Sequence, residues 1–249
     1  MEKTYTRPKS LLPLQSGFCP GCLHGTAAKI TSEVLDELQQ GQNALLVLPV
    51  GCATMGLLYW KVDMIGSAHG RAPAVATGAK RSHPSSLVFT YQGDGDLAAI
   101  GLGEILSAAN RGENITVIFA NNATYGMTGG QMAPTTLVGQ KSTTSRAGRN
   151  AESEGYPIPM CELIKELKAP AFVARYALDT PQNIKKARAG IKRAFECQLE
   201  NKGFSFVELL TNCPTNWGMS PLQSLEYMQT HTIPAYPLGI FKDKEADKS

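Results

Sequence analysis

The chain has 249 residues, of which 18% are charged, and its formal net charge is +3 at pH 7. This length is sufficient for a single α/β domain with a sizeable core. The positive charge is small and scattered, so neither a nucleic acid nor a membrane surface is expected as a partner. The N-terminus MEKTYTRPKS is polar and lacks a following apolar core. No secretory signal is therefore expected, and the predicted location is cytoplasmic.

The first half of the chain alternates between predicted helices and predicted buried strands. Residues 1–18 contain Pro8 and Pro13 and predict an extended N-terminal arm. The apolar stretch Ala44–Trp60 is short for a membrane span, so a buried strand with a functional loop is expected there. The predicted elements are helix Gly25–Gln40, strand Ala44–Val50, helix Arg71–Ser82, strand Leu87–Tyr91, helix Leu97–Asn110 and strand Ile115–Ala120.

The second half begins with the long polar segment Tyr125–Pro159, and a loop of this length in a compact domain is usually functional. The charged residues 242–249 predict a flexible tail, which leaves 19–241 as one domain. Cys161 and Cys197 fall in predicted helices and are expected to be ordinary buried thiols. The elements predicted here are helix Cys161–Lys168, strand Ala171–Tyr176, helix Pro181–Leu199, strand Phe204–Leu210 and helix Ser220–Gln229. This alternation predicts an α/β fold with a doubly wound, mostly parallel sheet and helices on both faces.

Two polar residues follow neighbouring strands of the central strand–helix–strand unit. Asp94 stands between Gly93 and Gly95 after one strand, and Asn122 follows the next strand. Because the crossover makes these strands parallel, both side chains are expected at one edge of the sheet. A carboxylate and an amide oxygen suit Mg²⁺, and the helix that begins near Leu97 offers N–H groups to a diphosphate. The alternative is a pair of ordinary tight turns.

Four cysteines are candidate metal ligands, and two of them are expected at the same edge. Cys19 and Cys22 form a C-x-x-C pair, whereas Cys52 and Cys213 each follow a predicted strand. Four thiolates suit a [4Fe–4S] cluster, but they suit zinc equally well. A thioredoxin-like pair is a further alternative, although the residues before Cys19 do not predict a strand. The thiolate chemistry alone leaves these options open.

In combination, these motifs resemble a known family. The run GDG followed by an Asn pair resembles the thiamine diphosphate motif. The stretches Tyr91–Asp96 and Tyr125–Gln131 more specifically resemble the β subunit of 2-oxoacid:ferredoxin oxidoreductases. The runs Cys19–Cys22, His69–Ala72 and Ala133–Thr136 match the same family. The matches extend from about Cys19 to Trp217, which is most of the chain.

The resemblance implies a thiamine diphosphate-binding fold and assigns roles to individual residues. Mg²⁺ would be held by the side chains of Asp94 and Asn122 and the backbone carbonyl of Thr124. A [4Fe–4S] cluster would be held by Cys19, Cys22, Cys52 and Cys213. The residues expected at the cofactor are Cys52, Gly70, Gly93, Asp94, Gly95, Asp96, Asn122 and Thr124. The residues expected to act in catalysis are His69, Met127 and Thr128.

The resemblance also implies an activity. A β subunit of this family takes part in the oxidative decarboxylation of a small 2-oxoacid with coenzyme A, and electrons pass through the cluster to ferredoxin. One α/β domain leaves no room for the carboxylate that thiamine enzymes place against the aminopyrimidine ring. An α subunit that carries this Glu in its pyrimidine-side domain is therefore expected, together with γ or δ subunits.

Two alternative functions and the identity of the substrate remain open. A non-oxidative thiamine diphosphate decarboxylase or synthase subunit would need Asp94 and Asn122 but not the cysteines. A non-catalytic iron–sulfur or zinc scaffold subunit would need the cysteines but not the magnesium ligands. Pyruvate, 2-oxoisovalerate, 2-oxoglutarate and indolepyruvate are all used in this family. The compact length and the run Cys213–Gly218 favour the branched-chain or 2-oxoglutarate types.

Overall fold

The computed structural model describes residues 5–245; residues 1–4 of the expected arm and 246–249 of the expected tail lie outside them. Within this range the strands are β1 Ala44–Leu48, β2 Asp63–Gly66, β3 Leu87–Gly93, β4 Thr116–Asn121, β5 Phe172–Ala177, β6 Ser205–Leu210 and β7 Gly239–Asp243. They form one sheet in the order β2-β1-β3-β4-β6-β5-β7. All neighbouring pairs are parallel except β5 and β7, which are antiparallel.

The helices of the described residues connect these strands. They are α1 His24–Glu37, α2 Ala72–Ser82, α3 Leu102–Arg111, α4 Ala151–Glu154, α5 Met160–Lys165, α6 Pro181–Leu199, α7 Pro214–Trp217, α8 Pro221–Tyr227 and α9 Ile233–Ala235. A 3₁₀ turn covers Cys52–Leu58, and π-helical turns cover Gly95–Ile100 and Met228–Thr232. Each helix in residues 5–245 is too short or too polar to cross a lipid bilayer.

Helices cover both faces of the sheet. Along β1, Leu46 packs in a core that includes α1 and α6, whereas its neighbour Val47 packs in a core that includes α2, α3 and α5. Along β3, Phe89 and Val88 alternate in the same way. This pattern follows from the period of two in a strand, since successive side chains point to opposite faces. The predicted doubly wound, mostly parallel sheet is confirmed.

The direction of strand succession reverses between β1 and β3. The chain passes from β1 to β2 on one side of the sheet and then returns to β3 on the other side of β1. In open α/β sheets, such a reversal leaves a crevice outside the carboxyl ends of the strands. The register pairs Gly93 with Ala120 and Asn121 with Leu210, so β3, β4 and β6 end at the same level. The loops after these strands therefore meet at one edge.

Two strands and three short helices in residues 5–245 were not predicted from the sequence. Strands β2 and β7 are short strands at the two edges of the sheet and are mostly not buried, so they lack the apolar signal of the central strands. Helices α4, α7 and α9 have only three or four residues each, and α4 lies within the segment Tyr125–Pro159 that was predicted as a loop. Strand β7 also continues to Asp243, so the first two residues of the expected tail belong to the sheet. There, Asp243 accepts hydrogen bonds from Arg193 at 3.0 and 2.8 Å.

A buried ionic network fixes the end of β4 against its neighbours. The Arg175 side chain is fully buried and donates from Nε to Glu208 Oε2 at 2.8 Å and from Nη2 to Glu162 Oε2 at 2.6 Å. The other Glu208 oxygen accepts from Asn121 Nδ2 at 2.8 Å. The network thus connects α5, β5 and β6 to Asn121, which is the residue before Asn122.

We predict that Arg175→Met lowers the free energy of unfolding by about 3–5 kcal/mol, because Glu208 would remain buried without its cation. The matched control is Arg188→Met, which removes a partly exposed pair with Glu37. That change should cost about 1 kcal/mol or less. Urea unfolding of both variants measures the difference. Equal stability of the two variants would contradict a stabilising role for the network.

Candidate functional site

A cavity of about 110 Å³ lies beyond the carboxyl ends of β1, β3 and β4. We call it the sheet-edge cavity. Most of the predicted cofactor-binding and catalytic residues line it: Cys52, His69, Gly93, Asp94, Gly95, Asp96, Asn122, Thr124, Met127 and Thr128. Gly70 lies behind this lining, where its N–H donates to Asp96 Oδ1 at 2.7 Å. The structure therefore brings the predicted residues of the motifs together at one place.

Asp94 is a buried carboxylate that is surrounded by hydrogen-bond donors. Its Oδ2 accepts from the Thr124 N–H at 3.0 Å and from Thr135 Oγ1 at 2.7 Å, and its Oδ1 accepts from the Gly95 N–H at 2.9 Å. Burial raises the pKa of Asp94 to about 6. No Lys, Arg or His within residues 5–245 forms an ion pair with it. A buried carboxylate of this kind is suited to binding a cation.

The turn after β4 places a second oxygen close to Asp94. The Thr124 N–H, which contacts Asp94, also lies 3.3 Å from Asn122 Oδ1. Ala123 in this turn has a φ of +55°, an uncommon value for a residue with a side chain. Asn121 stabilises the turn, because its Oδ1 accepts from the Ala123 N–H at 3.1 Å. The carboxylate and amide oxygens fit the donor set that Mg²⁺ prefers.

Asp96 lines the sheet-edge cavity and also holds neighbouring residues in place. Its Oδ1 accepts from His69 Nδ1 at 2.6 Å and from the Gly70 N–H, and its Oδ2 accepts from Gln92 Nε2 at 2.7 Å. Both carboxylate oxygens are thus occupied by protein donors. With Nδ1 held by Asp96, the His69 ring has a fixed orientation in the lining of the cavity. The geometry therefore supports a positioning role for Asp96.

Gly95 allows the close approach of two segments. A Cβ at this position would lie 2.1 Å from Cε1 of Tyr125, so the turn after β3 could not keep its place with a larger residue. At Gly93, in contrast, an added Cβ would meet no atom within 4 Å. Packing within the described chain therefore requires a glycine at position 95 but not at position 93.

A second cavity of about 360 Å³ adjoins the first. We call it the cysteine cavity. It is lined by the four predicted thiolate ligands, Cys19, Cys22, Cys52 and Cys213. They come from the segment before α1, the 3₁₀ turn after β1 and the residues after β6. Cys161 and Cys197 lie elsewhere, buried in α5 and α6 as predicted.

The thiols of the cysteine cavity are difficult to ionise without a positive centre. Burial, with a smaller contribution from the neighbouring thiols, raises the pKa of Cys22 to about 12 and that of Cys52 to about 11. Burial also raises the pKa of Cys213. The thiols line the walls of the cavity. In the part of the chain that the structure describes, no group of three His, Cys, Asp or Glu side chains is arranged to hold a single metal ion.

The two cavities share part of their lining. Cys52, Asn122 and Met127 face both, and so does the buried His24. His24 Nδ1 lies 2.5 Å from the Tyr91 hydroxyl, and burial lowers the pKa of this histidine to about 4, so it is neutral at pH 7. A Cβ at Gly126 would lie 3.1 Å from Cys52 Sγ and 3.7 Å from Cys213 Sγ. The glycine therefore leaves room for a group held by these sulfurs.

Several residues at the site had no predicted role. Thr135 donates to Asp94, Gln92 holds Asp96, His24 faces both cavities, and Asn216 donates to Cys213. All four stand in or beside sequence runs that resemble the family, and Gln92 directly precedes the GDG turn. The runs thus indicated the right segments, but the individual contacts depend on how distant segments meet.

The chain matches the family model described as thiamine pyrophosphate enzyme, C-terminal TPP binding domain, over residues 49–209. It is 44% identical to ketoisovalerate oxidoreductase subunit VorA of Methanothermobacter thermautotrophicus, over 99% of this chain and 52% of that protein. It is 33% identical to 2-oxoglutarate synthase subunit KorB of Methanothermobacter marburgensis, over 87% of this chain and 74% of that protein. The chain spans about half the length of the ketoisovalerate oxidoreductase subunits that it matches.

A solved structure shares the fold. It is described as 2-oxoglutarate:ferredoxin oxidoreductase from Magnetococcus marinus with 2-oxoglutarate, coenzyme A and succinyl-CoA bound. The TM-score is 0.78 at 22% sequence identity, and the match covers 96% of this chain and 86% of the other. The resemblance inferred from the motifs is confirmed by the sequence relatives, and the fold is confirmed by this structure as well.

Proposed function

Because the chain belongs to the thiamine diphosphate-binding subunits of the 2-oxoacid:ferredoxin oxidoreductases, we propose that it acts as the β subunit of such an enzyme. The enzyme converts a 2-oxoacid and coenzyme A to acyl-CoA and CO₂, and it passes the electrons to ferredoxin. The observation that carries this proposal is the shared wall of the two cavities, since Cys52, Asn122 and Met127 line both. A site for the cofactor thus adjoins a site for an electron acceptor.

In the sheet-edge cavity, the residues fit a magnesium ion and a diphosphate. The side-chain oxygens of Asp94 and Asn122 and the backbone carbonyl of Thr124 would hold the ion. Asp94 is buried without a cationic partner among residues 5–245, and Thr135 and Thr124 orient its Oδ2. Thiamine diphosphate, when bound, supplies a stabilised carbanion for reaction with a carbonyl carbon. The turn at Gly95 keeps the polypeptide close to Tyr125 and leaves the cavity open beside it.

The His69 side chain is proposed to act at the bound cofactor or substrate. Asp96 accepts from its Nδ1, so Nε2 is the nitrogen available to a ligand. The side chain is about one-third exposed, which agrees with a place at the cavity surface. Met127 and Thr128 are proposed to lie beside the reacting groups, since both line the cavity. Thr128 is held in place by a hydrogen bond from its hydroxyl to Gln131 Oε1 at 2.6 Å.

In the cysteine cavity, the four thiols fit a [4Fe–4S] cluster. A cluster's positive iron ions would offset the cost that burial imposes on the thiolates of Cys22, Cys52 and Cys213. The space left by Gly126 beside two of these sulfurs agrees with a group larger than one ion. Cys19 is exposed, so one side of the cavity faces the surface from which electrons would leave for ferredoxin.

A partner subunit is proposed to cover the sheet-edge cavity. Val50 and Met127 line the cavity and are 46% and 50% exposed, so a subunit that packs there would bury apolar surface. An α subunit that packs on them would exclude water and supply the Glu for the aminopyrimidine ring. Further γ or δ subunits are part of the same proposal, because the relatives are named as subunits.

We predict that Asp94→Asn weakens the binding of thiamine diphosphate in the presence of Mg²⁺ by at least about 100-fold, because the ion loses its charged ligand. The control is Asp179→Asn, which changes a carboxylate that contacts Asn183 and Gln229 instead. Isothermal titration of the purified multi-subunit complex gives both Kd values. Binding of wild-type strength by the Asp94 variant would remove Asp94 from the magnesium site.

We predict that the wild-type complex contains about four irons with acid-labile sulfide per β subunit. Cys52→Ser and Cys213→Ser should each lose most of this iron, because each removes a thiolate ligand. The buried Cys197 does not line the cavity, so Cys197→Ala should retain it. Metal and sulfide analysis after anaerobic purification measures this. Stoichiometric zinc without sulfide would contradict the redox function and favour a scaffold or a non-oxidative thiamine enzyme.

We propose a branched-chain 2-oxoacid as the substrate, since the relative with 44% identity is named for ketoisovalerate and the one with 33% identity for 2-oxoglutarate. The complex should therefore reduce ferredoxin with a higher kcat/KM for 2-oxoisovalerate than for 2-oxoglutarate. The two rates, measured with coenzyme A present, test this order. A preference for 2-oxoglutarate would overturn the substrate proposal without affecting the cofactor sites.

A further inference from the structure

Asn216 connects one of the cavity's thiols to the wall between the two cavities. Its side-chain Nδ2 lies 3.2 Å from Cys213 Sγ and 2.9 Å from the carbonyl oxygen of Gly126. A carboxamide nitrogen carries two hydrogens, so it donates to both acceptors at once. Asn216 thus donates at the same time to the Cys213 sulfur and to the turn that carries Met127.

Close packing holds Asn216 in this position. The turn from Tyr125 to Gln131 is closed by the hydrogen bonds from the Tyr125 N–H to the Gln131 carbonyl at 3.1 Å and from the Gly130 N–H to the Tyr125 carbonyl at 2.9 Å. A Cβ at Gly130 would lie 3.0 Å from the Asn216 Cβ and 3.1 Å from its Oδ1. The glycine therefore allows α7 to approach the turn closely enough for the bond to Gly126.

We propose that Asn216 tunes the reduction potential of the cluster in the cysteine cavity; this inference rests on the proposed function. When the cluster accepts one electron, negative charge increases on its sulfur ligands and no proton is transferred. An N–H donor to a ligand sulfur stabilises the more negative state and so raises the potential. The electron comes from oxidation of the 2-oxoacid in the proposed reaction and from dithionite in the test below.

The side-chain donor of Asn216 and its location give this residue a role in positioning the Cys213 sulfur and tuning the cluster. Asn216 does not line the sheet-edge cavity, so it is not placed to touch the substrate. Since the same amide also holds the Gly126 carbonyl, the sulfur environment depends on the position of the turn that carries Met127 and Thr128. A shift of that turn would therefore alter the hydrogen bond to Cys213 Sγ through the Asn216 side chain.

The test is a dithionite titration of the anaerobically purified multi-subunit complex, in which EPR follows the reduced cluster. Asn216→Leu keeps a similar size but removes the side-chain donor, and its equilibrium constant for reduction should fall by up to about tenfold, or about 59 mV for one electron. Asn216→Asp replaces the donor with a negative acceptor and should lower the potential further. Gln229→Leu, which removes an exposed carboxamide that lines neither cavity, should leave it within twofold of wild type.

The possible results distinguish a failure of the tuning role from a failure of the proposed function. An Asn216→Leu complex with full iron content and an unchanged potential would overturn the tuning role. Loss of iron with an unchanged potential in the remaining clusters would mean that Asn216 acts only in packing, and this too would overturn the proposal. A wild-type complex without iron and sulfide would refute the proposed function itself and the tuning role with it.

Discussion

The parallel register of the central strands is the constraint on which the candidate site depends. Gly93 is level with Ala120, and Asn121 is level with Leu210, so the residues that follow β3, β4 and β6 leave the sheet side by side. A register shift of one residue would turn every following side chain to the other face of the sheet. The buried hydrogen bond between Asn121 and Glu208 makes such a shift costly, because it would separate two buried polar groups. Fold stability and site geometry thus depend on the same contacts.

The electrostatic character of this edge follows from burial. Asp94, Cys22, Cys52 and Cys213 are largely removed from water without protein cations close to them in residues 5–245, and the neighbouring His24 is neutral because burial lowers its pKa. Such a region disfavours its own ionised groups unless positive centres bind there. The wall between the cavities is a short turn at Gly126, so the two sites lie close together. A Mg²⁺ ion and the iron ions of a cluster would supply these positive centres, and the adjoining sites would allow electron transfer over a short distance.

The sequence predicted the parts of the site that depend on strand order alone. Asp94, Asn122, Cys52 and Cys213 were placed correctly because each follows a parallel strand. The hydrogen bonds of Asp96 were not predictable, since both aspartates of GDGD look equivalent until His69 and Gln92 are seen to contact only the second one. The edge strands β2 and β7 were missed because short, half-exposed strands lack an apolar run. Asn216 lies in a family-like run, but its bond to Gly126 joins residues that are distant in sequence.

We propose that a thiolate-bound cluster adjoins a magnesium–diphosphate site at one edge of the sheet. The most direct measurement is anomalous X-ray scattering at the iron edge from crystals of the anaerobically purified complex, soaked with thiamine diphosphate and Mg²⁺. We expect iron peaks between Cys19, Cys22, Cys52 and Cys213 and diphosphate density beside Asp94 and Asn122. An anomalous peak at the zinc edge with none at the iron edge, or a diphosphate bound away from Asp94, would contradict it.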